Sequence, residues 1–183
     1  LRRHFPGQFD TVSLDDFYRA INEVSSSLIR IEADELTYNL HIMIRYELEK
    51  ALFENDLRVD DLPAAWNEMY RSYLGIEPEH DGEGVMQDVH WYGGAFGYFP
   101  SYALGNIYAL QFMAAMEKKL DDVESLIAAG QLLPIKQWLT EHIYQYGKMR
   151  TPAELLRETT GGQLDPLPLI DYLREKFGRI YEL

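Results

Sequence analysis

Apolar residues along this chain recur at the three-and-four spacing of a helical face, and strict alternation bounded by hairpin turns is absent. The strongest run covers residues 28–52. There Ile29, Ala33, Leu36, Leu40, Met43, Ile44, Leu48 and Leu52 line up as one stripe, which predicts a long helix with that side buried. Ser13 followed by Asp15 and Asp16 opens a shorter helix carrying Phe17, Ile21 and Val24. Asp60-Asp61-Leu62-Pro63 starts a helix that bears Trp66, Met69, Tyr70 and Tyr73 and stops at Gly75. Further helices are predicted over residues 100–120, over 122–129 before Gly130, and over 134–146 before Gly147. Thr151-Pro152-Ala153-Glu154 spells a capping box, and Asp165-Pro166 opens a terminal helix through Tyr181. Residues 76–99 form an irregular connection. No internal repeat or low-complexity linker interrupts the chain, so the expectation is one all-α, irregular multi-helix domain over residues 1–183 with a long loop rich in glycine and aromatic residues.

Composition narrows the partners. Hydrophobic residues make up 46% of the 183, ample for a core. Seventeen basic against 30 acidic residues give a net charge of −13 with no basic run, which argues against nucleic acid and anionic membranes. No apolar run is long enough to span a bilayer. The absence of cysteine removes disulfides, thiolate metal sites and cysteine nucleophiles together, and suits an intracellular or a thermally stressed protein; the expected compartment is the cytoplasm. The chain opens at Leu1 with Arg2-Arg3-His4-Phe5-Pro6 and no methionine, as a fragment or processed product does.

Candidate chemistry concentrates in Gly84-Val85-Met86-Gln87-Asp88-Val89-His90-Trp91 and the following Gly93, Gly94, Gly97, Tyr98 and Tyr102. Glycines allow close backbone approach, while Gln87, Asp88, His90 and the tyrosines supply donors, acceptors and a ring that titrates near neutral pH. This pattern reads either as one wall of a polar cleft or as a buried aromatic loop whose polar groups satisfy one another. His90 is a general acid or base, a donor to a transition state, or a core histidine bonded to backbone. Tyr98 and Tyr102, four apart, are oxyanion donors or core anchors.

The face of the long helix opposite its apolar stripe holds Arg30, Asp34, Thr37, Tyr38, His41 and Arg45. Arg30 would fall in the first turn, where the helix dipole disfavours a cation, and a guanidinium beside free N–H groups suits a carboxylate ligand. Asp34, one turn on, is placed to hold that guanidinium. The plain alternative is a solvated face with an Arg30–Asp34 surface pair. Metal ligation is not legible: the histidines stand at 4, 41, 80, 90 and 142 with no His-Glu-x-x-His. Ser25-Ser26-Ser27 lacks a nucleophile-elbow context, and Gly93-Gly94 lacks the basic residue of a phosphate loop.

Ile29-Arg30-Ile31-Glu32-Ala33-Asp34 resembles the Ile-Arg-x-x-Ala-Asp motif, and residues 84–91 match Gly-x-x-Gln-Asp-x-His-Trp, of the zinc carboxypeptidases typified by carboxypeptidase Taq. The order is the family's. The resemblance extends along the chain and covers the C-terminal part of such enzymes. It implies an all-helical, homodimeric metallocarboxypeptidase that removes C-terminal amino acids with metal-activated water, the metal being zinc or cobalt. It implies that the ligands, on His-Glu-x-x-His and His-Glu-Ser-Gln segments, precede Leu1, so that this chain alone is inactive and needs the upstream part. It further implies that Arg30, supported by Asp34, binds the substrate's terminal carboxylate, that His90 with Tyr98 or Tyr102 stabilises the tetrahedral intermediate, and that Gln87 and Asp88 shape the pocket. The rival from another class is a free-standing helical interaction domain without catalysis.

Overall fold

The computed structural model describes residues 1–54, 56–120 and 122–183, whose regular elements are all helices, with no strand among them. Two compact units divide the chain, Leu1–Ser101 and Tyr102–Leu183. The first holds α1 (Pro6–Phe9), α2 (Leu14–Ile21), α3 (Tyr38–Phe53) and α4 (Leu62–Leu74). Ser13 caps α2 by accepting the Asp16 amide, as its position before the acidic turn predicts. Gly75 ends α4 in the left-handed region, at φ 71°.

The core of this unit is the seam between α3 and α4. Ile44 and Leu48 of α3 meet Leu62, Trp66, Tyr70 and Leu74 of α4, with Val85 and Trp91 of the connecting segment packed against them. Residues 76–99 contain no helix, as expected of the irregular connection.

The long helix departs from its expected form in two respects. It begins at Tyr38; Arg30–Glu32 form a separate 3-10 turn, and Ala33 is extended at ψ 144°. Asp34 is the cause, because its Oδ1 accepts the amides of both Leu36 and Thr37 and offers the backbone a turn in place of a helix. The burial pattern also differs from the apolar stripe. Met43 of the stripe is exposed, whereas His41, Arg45 and Glu49 are buried beside Ile42, Ile44 and Leu48. The polar face of α3 is therefore an inner face.

In the second unit Met116, Val123 and Trp138 form a small core, flanked by Phe112, Ile135 and Leu139. It contains most of α5 (Pro100–Glu117), then α6 (Val123–Ala128), α7 (Leu133–His142), α8 (Pro152–Thr160) and α9 (Leu167–Tyr181). α7 stops short of the expected Tyr146: Ile143 leaves helical dihedrals, and the His142 ring bonds through Nδ1 to the Trp138 carbonyl at 2.9 Å. The capping box forms, with Thr151 accepting the Glu154 amide and Glu154 accepting the Thr151 amide.

Candidate active site

Three segments of the first unit converge: the 3-10 turn at Arg30, the inner face of α3, and the loop around Asp88. Arg30 closes a fork on Asp88, with Nη2 donating to Oδ1 at 2.7 Å and Nε donating to Oδ2 at 3.3 Å. Its Nη1 donates to the Tyr38 hydroxyl at 3.0 Å. Arg45 reaches the same carboxylate from α3, Nε to Oδ2 at 2.6 Å. Its other nitrogens donate to the His41 carbonyl, the Tyr70 hydroxyl and Gln87 Oε1. Arg30 is 4% exposed and Arg45 0%. Burial alone would raise the Asp88 carboxyl, but the hydrogen bond to Arg30 and the charges of Arg45 and Arg30 outweigh it and hold the group below the ordinary carboxylate range. Burial works against the charge on Arg30 too, and Asp88 overrides it, so the guanidinium is pushed above its usual value.

Gln87 ties the loop to the turn. Its Oε1 accepts the Arg30 amide at 3.0 Å, and its Nε2 donates to the Leu28 carbonyl at 2.5 Å. Gly84 opens this stretch for a steric reason: a Cβ there would lie 3.0 Å from Pro78 Cγ and 3.5 Å from Trp66 Cδ1. The loop thus crosses the edge of a buried indole closely enough to fix its depth.

His90 is brought to the same place. Its Nδ1 lies 3.7 Å from Asp88 Oδ1, and its ring centroid is 4.5 Å from that of buried Phe99 and 5.7 Å from that of Tyr98. Phe99 in turn lies under both guanidiniums, at 5.7 Å from Arg30 and 5.5 Å from Arg45. Tyr98 is half-exposed. The structure thus gathers Arg30, Gln87, Asp88, His90 and Tyr98, while Tyr102 falls in the second unit on α5. Asp34 serves the turn instead of the guanidinium: besides the two amides, its Oδ2 accepts the Thr37 hydroxyl and the Ser25 amide. The carboxylate that holds Arg30 is that of Asp88.

Behind the arginines lies a second polar layer. The Tyr70 hydroxyl donates to the Leu28 carbonyl, accepts from Arg45 and shares a 3.0 Å hydrogen bond with His41 Nδ1. Since the hydroxyl proton goes to Leu28, His41 donates from Nδ1, and its lone pair sits on Nε2, which is buried and has no partner. Burial first, then the charges of Arg45 and Arg30, lower the His41 pKa to about 4, so the ring is neutral at physiological pH.

Sequence reasoning put His41 and Arg45 on a polar face but gave neither a role in the site, and it left out Tyr70 and Glu49. One signal was available: positions 41, 45 and 49 share a single helical side that continues into the hydrophobic run at Leu48.

Comparison with known proteins agrees with these motifs. A model of the carboxypeptidase Taq (M32) metallopeptidase family matches residues 1–177. Carboxypeptidase 1 of Bacillus subtilis is 54% identical over 178 residues, covering 97% of this chain and 36% of that protein. Thermostable carboxypeptidase 1 of Thermus thermophilus is 48% identical over 170 residues, covering 93% and 33%. The chain therefore spans about a third of the length of these relatives. Among solved structures, an M32 carboxypeptidase from Deinococcus radiodurans superimposes with a TM-score of 0.96 at 42% identity, covering 100% of this chain and 37% of that one.

Proposed function

The chain belongs to the carboxypeptidase Taq (M32) metallopeptidase family, and from that membership we propose that it is the C-terminal, substrate-binding part of a zinc-dependent carboxypeptidase releasing C-terminal amino acids from peptides. The observation that carries this reading is the sharing of one carboxylate by two buried guanidiniums. Two guanidiniums, Arg30 and Arg45, close on the single carboxylate of Asp88. The next acid on that face of α3, Glu49, is engaged by the Trp91 indole and the Gly97 amide, so an incoming anion would meet two guanidiniums that share one carboxylate. A peptide's terminal carboxylate is that anion.

In this reading Arg30 takes the terminal carboxylate and Asp88 fixes its guanidinium. Gln87 sets the backbone at residue 30, and Asp34 shapes the turn that carries it. His90 with Tyr98 or Tyr102 donates to the oxyanion of the tetrahedral intermediate. Tyr98 is the better choice because its ring lies 5.7 Å from that of His90.

A bound metal supplies such a reaction with an activated water. The donor groups present do not fit one: among the described residues no cluster of three or more His, Cys, Asp or Glu side chains can hold a metal ion. Asp88 is engaged by arginines, and both oxygens of Glu49 by the Trp91 indole and the Gly97 amide. We therefore assign zinc or cobalt to a His-Glu-x-x-His segment of the enzyme's upstream part and expect this chain by itself to be inactive. The upstream part and a second copy are its proposed partners, and the cytoplasm its compartment.

The test is hydrolysis of a blocked dipeptide with added zinc or cobalt, by this chain alone and mixed with the upstream part. Activity in the mixture only is expected, with the amidated dipeptide resisting cleavage. Arg30→Lys in that mixture should raise KM on the order of 10- to 100-fold, the worth of about one charge-assisted hydrogen bond together with the loosened hold of Asp88 on residue 30. An unchanged KM, or equal cleavage of the amidated peptide, refutes the carboxylate clamp.

A further inference from the structure

The inner face of α3 meets the loop at two levels, one helical turn apart. Arg45 holds Asp88 and Gln87 at one level, and Glu49 acts at the next. Glu49 is buried, and each of its oxygens accepts one hydrogen bond from the loop: the Trp91 indole N–H at 2.7 Å on Oε1, and the Gly97 amide at 2.9 Å on Oε2. Gly97 can present its amide there because it sits at φ 72°, a conformation that side chains disfavour. The two donors bracket the turn of residues 91–97. His90 lies directly before that turn and Tyr98 directly after it, with Phe99 packed beneath the His90 ring.

We propose that Glu49 is a positioning residue for the site: by clipping both ends of the turn to α3, it sets the His90 and Tyr98 rings relative to Arg30. The catalytic role of those rings rests on the function proposed above; the clip itself does not. A carboxylate suits the place because it offers two acceptors and no donor to two converging N–H groups. A glutamine of the same length turns one of those acceptors into a donor.

The three tryptophans make the clip observable. The indole nitrogens of Trp66 and Trp138 are buried without partners, so the Trp91 indole N–H alone is bonded to a carboxylate. In nitrogen-edited NMR of the wild-type protein, one indole proton should stand well downfield of the other two. In Glu49→Gln that signal should move toward them, the Gly97 amide should exchange about 10-fold faster or more, and the His90 ring protons should shift. In the metal-loaded, intact enzyme the same substitution should lower kcat about 10-fold or more while KM stays within about twofold. Trp91→Phe removes one donor and keeps the Gly97 bond, so it should give a smaller fall in kcat with Gly97 protection retained. It decides the matter if Glu49→Gln does not fold.

Displaced Trp91 and Gly97 signals with unmoved His90 resonances and unchanged kcat overturn the proposal, as does a change confined to KM. If the wild-type enzyme cleaves no peptide at all, the proposed function fails separately. The His90 resonances then decide the clip: shifted in Glu49→Gln they support it, unshifted they overturn it.

Discussion

Acidification should destabilise this protein through one identified ring. His41 is fully buried, with an unpartnered Nε2, and adding a proton there would put an N–H and a charge beside two guanidiniums. Its pKa falls from 6.5 when unfolded to about 4 when folded. Between those values the folded state binds fewer protons than the unfolded chain, so stability rises with pH across the window and is lost on the way down. At about 1.4 kcal/mol for each pH unit, the full loss approaches about 3 kcal/mol, with about 2 kcal/mol gone by about pH 5. Asp88 does not confuse the measurement, since its folded carboxyl is held below the usual range and its contribution is common to both proteins. The perturbation is His41→Asn, which leaves a polar group for the Tyr70 hydroxyl and removes the titration. Urea unfolding of both proteins at several pH values, from about 7.5 to about 4, isolates the ring. The wild type should lose its stability relative to the variant as pH falls through the window, by about 2 kcal/mol at about pH 5. Parallel pH profiles would refute the neutral, buried assignment of His41 and the proton arrangement at Tyr70 that depends on it.

Asp88→Asn leaves two buried guanidiniums facing a neutral amide and should cost about 3–5 kcal/mol in urea unfolding. In the wild type the Asp88 contribution is present above its ordinary value of 3.8 and lost as pH falls through the lower folded value, below the His41 window. A loss under about 1 kcal/mol would mean that the arginines find other partners. Gly84→Ala forces a methyl against Pro78 and the Trp66 edge, and should cost about 1–3 kcal/mol and alter tryptophan emission. Unchanged stability and emission would show that the loop does not cross the indole at that distance.

Legibility followed distance along the chain. The capping box of Thr151 and Glu154, the cap at Ser13 and the stop at Gly75 each involve neighbours within a few positions, and the chain's own spacing announces them. The motifs around Arg30 and at Gln87-Asp88-Val89-His90 marked the residues that come together, but not which group holds which. Arg30 has an acid four positions away and another 58 away, and it takes the distant one because Asp34 is drawn to the amides of its own turn. That preference also moved the start of α3 from the expected position to Tyr38. The burial of His41, Arg45 and Glu49 escaped notice because hydropathy treats polar residues as solvent-facing. Here a polar loop covers them and satisfies them.

The hydrogen bonds that build the site span 48 residues from Glu49 to Gly97, 57 from Arg30 to Gln87 and 58 from Arg30 to Asp88, whereas the capping box spans three. Closing such loops costs chain entropy before any contact repays it, so these bonds should form after the helices that carry them. Helical content is consequently a poor gauge of whether the arginine cluster has assembled. A refolding chain can recover its far-ultraviolet signal while the loop still swings free of α3, and the Trp91 indole should be among the last groups to gain protection.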